Sequence, residues 1–381
     1  MQKALSVLGS TGSIGQQTLE TAQFLGVEIR AISANSNIAL LESQARKFKP
    51  SVVSVYDESA ALDLKVRLQD MQIKVVGGAD GLIEAACVDS ADTVVTAVVG
   101  KVGLRPTLAA IKQKRRIALA NKETLVCAGE IIMSEARKHS AEIIPVDSEL
   151  SAVFQCLNSE SRADIKNIIL TASGGPFRGK TKDELLNATP EMAVAHPNWN
   201  MGKKISVDSA TLINKGFEAI EAVHLFSVSP ENVEVVVHPE SIIHSMVEFS
   251  DNSILAQLSL PDMRLPIQYA LTYPMRFPSL TKKLDLAKLG QLTFENPDLG
   301  TFPCLKLALD AVKKGGTSCA VLNGANETAV SLFLQGKLSF YGIYESVHKA
   351  LEHVKFIENP TLDELDEADT TAREFVYSLS F

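Results

Sequence analysis

Asp147 and Glu149 close the apolar run IIPVDSEL (143–150) around a single serine, Ser148. In an extended segment, residues two apart point to one side, so these acids converge at the mouth of a buried strand. Carboxylates that close raise each other's pKa, and something must offset the repulsion. A divalent cation does so, but hard cations take more than two carboxylates. Glu218, in NKGFEAIEAV, is the candidate third. The other reading of the pair is a helix start, with the acids capping a segment that begins near Ser148.

Three further stretches carry chemistry. Gly9-Ser-Thr-Gly12-Ser-Ile-Gly15 follows a strand and opens a helix, a turn whose free backbone N–H groups cradle a pyrophosphate. An NAD site carries an acid at the end of the second strand for the ribose 2′-OH. From Ala31 to Asn37 there is none, and the small donors Ser33, Asn35, Ser36 and Asn37 favour NADP. Ser173 precedes a Gly-Gly turn in TASGGPF, and SVDSATLINKG adds Ser209, Asn214 and Lys215, with Lys204 nearby. A hydroxyl, an amide and an ammonium so close together suit phosphate oxygens, although each serine alone is an ordinary helix cap. Trp199, the only tryptophan, sits in the breaker-rich HPNWNMG. It reads as part of a lid over ligand, or as a satellite contact under a long loop. Lys122, in LANKETLV, stands at a strand's carboxyl end, where parallel-sheet enzymes place reactive groups.

The elements that must position these residues follow from periodicity. KALSVLG, VEIRAIS, SVVSVYD, IKVVGG, DTVVTAVVG, RRIALAN and AEIIPVD read as strands, with helical stretches between most of them, hence βαβ units and a parallel sheet. NIILTASGGPF is a strand into a turn, DSATLINKGFEAIEAVHLF one long helical pattern, and VEVVVHPESIIHSMVEFSDNSILAQLSL three strands of a mixed or antiparallel sheet. A proline-containing linker and a helical tail follow. The expected fold class is α/β: an N-terminal Rossmann-like parallel sheet, a central α/β catalytic domain with a mixed sheet, and a C-terminal helical domain. The expected divisions are 1–149, 150–273, a linker at 274–300, and 301–381.

The 381 residues, 46% hydrophobic and 22% charged, suit two or three soluble domains. No apolar run approaches the roughly 18 residues of a membrane span, and the start of the chain lacks a signal peptide's apolar core. Five cysteines without a C-x-x-C pair predict reduced thiols and a cytoplasmic protein. The net charge of -8 gives no reason to approach nucleic acid, so an anion site must be built locally.

GSTGSIG, LANKE, PVDSE, ASGGPFR, HPNWNMGKKISVDSATLINKG and HPESIIHS together resemble the 1-deoxy-D-xylulose 5-phosphate reductoisomerases of non-mevalonate isoprenoid biosynthesis. The resemblance implies a homodimer that rearranges and reduces the phosphorylated deoxysugar to 2-C-methyl-D-erythritol 4-phosphate with NADPH. The metal would be Mg²⁺ or Mn²⁺, with Co²⁺ a further candidate, on Asp147, Glu149 and Glu218. Lys122, Ser148, Glu149 and His196 would contact the reacting part of the substrate, with Lys122, Glu149 and His196 catalytic. Ser173, Ser209, Asn214 and Lys215 would hold its phosphate. Thr11, Gly12, Ser13, Ile14, Asn37, Asn121, Glu123 and Gly202 would touch the cofactor, and Trp199 and Met201 would lie in a flexible flap. One departure stands out: Asn35-Ser36-Asn37 replaces a common Gly-Lys-Asn, which removes a cation for the 2′-phosphate and narrows the expected preference for NADPH. Two other readings are a semialdehyde- or homoserine-type NADP dehydrogenase, which needs no metal for a carbon–carbon rearrangement, and a non-enzymatic dinucleotide-sensing regulator.

Overall fold

A computed structural model describes residues 4–158, 160–197, 199 and 201–379. Two compact units compose the chain: Met1–Thr124 with Glu130–Ser151 and Asp262–Lys282, and Leu125–Gly129 with Ala152–Pro261 and Lys283–Phe381.

The first unit alternates strand and helix: β1 (Ala4–Leu8), α1 (Ser13–Leu25), β2 (Glu28–Ala34), α2 (Ile38–Phe48), β3 (Val52–Val55), α3 (Glu58–Arg67), β4 (Lys74–Gly77), α4 (Gly78–Ala86), β5 (Thr93–Thr96), α5 (Leu104–Lys112), β6 (Arg116–Leu119), α6 (Lys122–His139) and β7 (Ile143–Pro145). All seven strands pair in parallel, in the order β4-β3-β2-β1-β5-β6-β7. Every residue of β1, β3 and β5 is buried. That explains their nearly unbroken apolar sequence, since strands covered on both faces cannot alternate with polar residues. Strand order reverses between β1 and β5. A doubly wound sheet opens its ligand crevice at such a switch point, beyond the carboxyl ends of the strands.

Helix α7 (Ser148–Cys156) follows β7. The second unit then holds β8 (Ile165–Ala172), α8 (Pro190–Val194), α9 (Lys203–Ala210), α10 (Ile213–Phe226), β9 (Val233–Val237), β10 (Ile243–Phe249) and β11 (Ile254–Leu258). Its sheet, ordered β11-β10-β8-β9, is mixed: β8 and β9 are parallel and the other pairs antiparallel. Helix α11 (Arg264–Thr272) belongs to the first unit, where Arg264 reaches Glu20 of α1 at 3.2 Å. The chain ends with α12 (Leu286–Leu289), α13 (Cys304–Lys314), α14 (Ser318–Leu334), α15 (Phe340–His353) and α16 (Leu362–Ser378). Phe217 of α10, Phe333 of α14 and Phe340 of α15 share one buried cluster, with Phe177 edge-on to Phe340 at 5.1 Å.

The single helical pattern expected over 208–226 is two helices. Leu212 takes a left-handed conformation (φ 61°) between α9 and α10, and no apolar periodicity registers one residue's backbone reversal.

Candidate active site

The glycine turn stands at the switch point. Gly9 (φ 83°) passes so near the chain after β5 that a Cβ would lie 2.5 Å from the Ala97 carbonyl oxygen, which only glycine tolerates. Its N–H donates to Ser33 Oγ at 2.9 Å. Ser33 is buried and holds the turn, so it is not the outward-facing donor to a 2′-phosphate that the sequence suggested. Asn35, Ser36 and Asn37 are exposed beyond β2. Asn37 also caps α2, accepting from the Leu40 N–H at 3.3 Å. Helix α1 starts after Gly12 with no side-chain cap, so its leading N–H groups face outward. Gly12 and Ser13 are exposed, and Thr11 and Ile14 half-buried. An uncapped helix terminus of this kind can receive an anion.

Asn121 and Glu123, both buried, wire the neighbouring corner. Asn121 Nδ2 donates to Val98 O (3.1 Å), Gly100 O (3.0 Å) and Glu123 Oε2 (2.8 Å).

Lys122 and Asp147 each follow one of two adjacent strands, β6 and β7, whose last paired residues are Leu119 and Pro145. Lys122 Nζ lies 3.0 Å from Asp147 Oδ2, with both side chains largely buried. The acids do converge, with carboxylate oxygens within 4.8 Å of each other, but not along a strand. The extended segment ends at Pro145 and Glu149 lies in the first turn of α7. Asp147 receives the Glu149 N–H at 3.2 Å and, on its carbonyl, the Ser151 N–H at 2.8 Å. Ser148 Oγ donates to Glu149 Oε2 at 2.7 Å. The helix-start reading of the pair fits this geometry. The acids begin a helix, where the macrodipole favours negative charge, and they present clustered hard oxygens of the kind a divalent cation takes.

In the second unit, Ser173 follows β8. Its Oγ lies 2.9 Å from His196 Nε2 and accepts from the Gly175 N–H at 3.2 Å. His196 Nδ1 accepts the Trp199 N–H at 3.0 Å, so the neutral ring carries its proton on Nε2, facing Ser173. Burial holds the His196 pKa below the ordinary histidine value. Gly175 (φ 68°) runs against α9, where a Cβ would meet the Ser209 carbonyl oxygen at 2.6 Å. The close approach brings the Ser173 turn beside Ser209. Across Leu212, buried Lys215 pairs with buried Glu218, and Asn214 Nδ2 donates to Glu218 Oε1 at 2.6 Å. Gly202 is the exposed, uncapped start of α9, and Met201 is half-buried.

Trp199 is half-buried, its ring edge-on to His244 at 6.3 Å. A hydrated indole in a breaker-rich loop is thus replaced by one with an aromatic neighbour from β10. Asn198 and Asn200 of the same motif lie outside the described residues. Sequence reasoning gave no role to His244, or to buried Asp208, which pairs with Lys204 at 2.9 Å. The i, i+4 spacing of Lys204 and Asp208 was the available signal.

Family models agree along most of the chain. The 1-deoxy-D-xylulose 5-phosphate reductoisomerase model matches residues 5–129, its C-terminal domain model 143–226, and the DXP reductoisomerase C-terminal domain model 258–375. The chain is 55% identical over 376 residues to 1-deoxy-D-xylulose 5-phosphate reductoisomerase of Acetivibrio thermocellus, covering 99% of each. The chain belongs to the 1-deoxy-D-xylulose 5-phosphate reductoisomerase family. Against the same enzyme of Caldanaerobacter subterraneus subsp. tengcongensis it is 54% identical over 375 residues, 98% of each chain. The Zymomonas mobilis reductoisomerase solved with NADPH superimposes with a TM-score of 0.92 at 42% identity, covering 99% of this chain and 98% of that one. A DOX-P reductoisomerase solved with NADPH, fosmidomycin and magnesium gives 0.92 at 40% identity with the same coverage. The α/β fold with its helical C-terminal region is thus the family's. The chain is an NADP-dependent oxidoreductase and isomerase, and the dehydrogenase and regulator readings are not favoured.

Proposed function

We propose that the chain converts 1-deoxy-D-xylulose 5-phosphate to 2-C-methyl-D-erythritol 4-phosphate with NADPH and a divalent cation, Mg²⁺ or Mn²⁺. The observation that carries the reading lies in the first unit. One parallel sheet presents an uncapped glycine turn at its switch point and, at the carboxyl ends of β6 and β7, converging Asp147 and Glu149 with Lys122. Relatives solved with NADPH and with magnesium support the cofactor and the ion.

Asp147, Glu149 and Glu218 would hold the metal, a donor set of carboxylate oxygens that fits a hard cation. Bound, the cation supplies charge stabilisation to substrate oxygens while a carbon–carbon bond breaks and re-forms, and NADPH supplies the hydride. Thr11, Gly12, Ser13 and Ile14 would receive the cofactor's pyrophosphate on the start of α1. Asn37, Asn121, Glu123 and Gly202 would complete its site. Ser173, Ser209, Asn214 and Lys215 would grip the substrate phosphate. Lys122, Ser148, Glu149 and His196 would orient the reacting carbons, and Trp199 with Met201 would exclude water as a flap. A grip on the phosphate keeps both fragments in place between bond cleavage and re-formation.

A homodimer would use β11, the sheet's edge strand, where Ile254, Leu255 and Leu258 are exposed. An open apolar edge is a template for a second strand. The described residues contain no helix long and apolar enough to cross a membrane. All five cysteines carry thiols rather than disulfides.

The test follows NADPH oxidation at 340 nm with 1-deoxy-D-xylulose 5-phosphate and Mg²⁺. Turnover should vanish with chelator and return with Mg²⁺ or Mn²⁺. Turnover that persists in chelator refutes the metal role.

A further inference from the structure

We propose that Asp208 and Asn326 are positioning residues for the phosphate grip, through which α14 of the C-terminal helices sets the geometry of substrate capture. The proposal rests on reading Ser209, Asn214 and Lys215 as that grip.

Asp208 is 1% exposed and immediately precedes Ser209. A buried carboxylate beside an anion site is adverse on charge alone, so its retention calls for compensating partners and a purpose. Lys204 and Asn326 partner the carboxylate, and Thr211 holds the backbone carbonyl of the same residue. Lys204, one turn earlier on α9, reaches Oδ2 at 2.9 Å, and its Nζ also lies 5.3 Å from the Phe217 ring centroid on α10. Asn326 on α14, itself fully buried, donates from Nδ2 to Oδ1 at 2.9 Å across 118 residues of sequence. Thr211 Oγ1 donates to the Asp208 carbonyl at 3.2 Å and accepts from the Ile213 N–H at 3.4 Å. The negative charge is felt further in the core. The buried Cys304 thiol is pushed up to about 12, by burial first and by Asp208 second.

The purpose lies in the corner these bonds brace. Ser209 is on α9 and Asn214 and Lys215 on α10, so the angle between the two helices fixes how far the hydroxyl stands from the amide and the ammonium. The junction passes through left-handed Leu212, a conformation unfavourable for a residue with a Cβ. Such a backbone persists only where its surroundings over-determine it. Thr211 spans the junction, and Asp208 ties its α9 side to α14. Asp208 and Asn326 thus act on the phosphate through the helices they hold.

The test measures KM, kcat, NADPH Kd and melting temperature for Asn326→Leu, which keeps the branched outline and removes the donor. Positioning predicts a KM for 1-deoxy-D-xylulose 5-phosphate raised about tenfold, with kcat within a few-fold and NADPH Kd unchanged. Asp208→Asn, which keeps an acceptor for Asn326 while losing the charge facing Lys204, should raise KM by less than Asn326→Leu does. Should Asn326→Leu not fold, Asn326→Ser, too short to reach Asp208, should show the same rise in KM. An unchanged KM overturns the proposal, whatever happens to the melting temperature, because a merely structural contact moves only the latter. Ser209→Ala, run in parallel, separates the two layers. If it leaves KM unchanged, the phosphate-grip reading itself fails; if it raises KM and Asn326→Leu does not, only the positioning role fails.

Discussion

Lys122 Nζ stands 3.0 Å from Asp147 Oδ2 at the carboxyl ends of neighbouring strands, an ammonium set against one of two converging acids. The lysine offsets part of the repulsion between Asp147 and Glu149, and a bound cation would offset the rest. Asp147→Asn should therefore lower turnover by roughly 10³-fold or more, the scale of several kcal/mol of lost charge stabilisation. NADPH binding, proposed at the separate glycine turn, should survive. Near-normal turnover of the mutant in saturating Mg²⁺ would remove Asp147 from the metal site.

On the proposed reading, exposed Asn35, Ser36 and Asn37 would face the cofactor's 2′-phosphate. Asp57 stands beside them, its N–H on the Asn35 carbonyl at 3.0 Å, and brings an acid rather than a cation. NADPH should outperform NADH in kcat/KM, by a modest margin. Ser36→Lys should tighten NADPH by about 1 kcal/mol, as one partly exposed charge contact does. Equal kcat/KM for both cofactors, or an unaltered NADPH Kd in the variant, contradicts this placement of the 2′-phosphate.

His196 supplies a pH signature. Burial lowers its pKa from 6.5 in the folded chain, so the unfolded chain takes up the proton first as pH falls. The stability this group contributes is fully present above 6.5 and is lost as pH drops through the folded value. Protonation at Nδ1 also ends its acceptance of the Trp199 N–H. An NMR titration should place the His196 midpoint below 6.5 while its contact with Ser173 persists. A midpoint at or above 6.5 contradicts the burial effect.

Trp199 reports on closure. Its ring is already half-buried against His244, so a phosphonate-bearing substrate analogue with Mg²⁺ should shift emission to the blue by less than full transfer from water would. Iodide quenching should fall. Trp199→Ala should weaken binding of the analogue by roughly 1–3 kcal/mol, the worth of one buried aromatic, and change NADPH affinity much less. Emission and iodide access that stay constant at saturating ligand rule out closure over the indole.

Much of this molecule was legible in one dimension because the signals are local. Strands buried on both faces need unbroken apolar runs, so β1, β3 and β5 stand out, and the Gly9 turn announces itself where β1 gives way to α1. The spacing of Asp147 and Glu149 pointed to paired acids, and the long HPNWNMGKKISVDSATLINKG block to the family.

What tertiary structure decided is what depends on partners far along the chain. Asp147 and Glu149 meet across a strand-to-helix turn, because the Ser151 N–H finds the Asp147 carbonyl and helix displaces strand after Pro145. Ser33 looked like a ligand donor, but the tight turn needs its hydroxyl for the Gly9 N–H. Asp262–Lys282 joins the first unit although it follows β11 in sequence, with Arg264 drawn to Glu20, 244 residues earlier. Asp208 looked like any helix acid until Asn326 met it in the core. Periodicity records which face of an element is apolar; it holds no record of which distant polar group will satisfy a buried one, since that choice is made only when the elements pack.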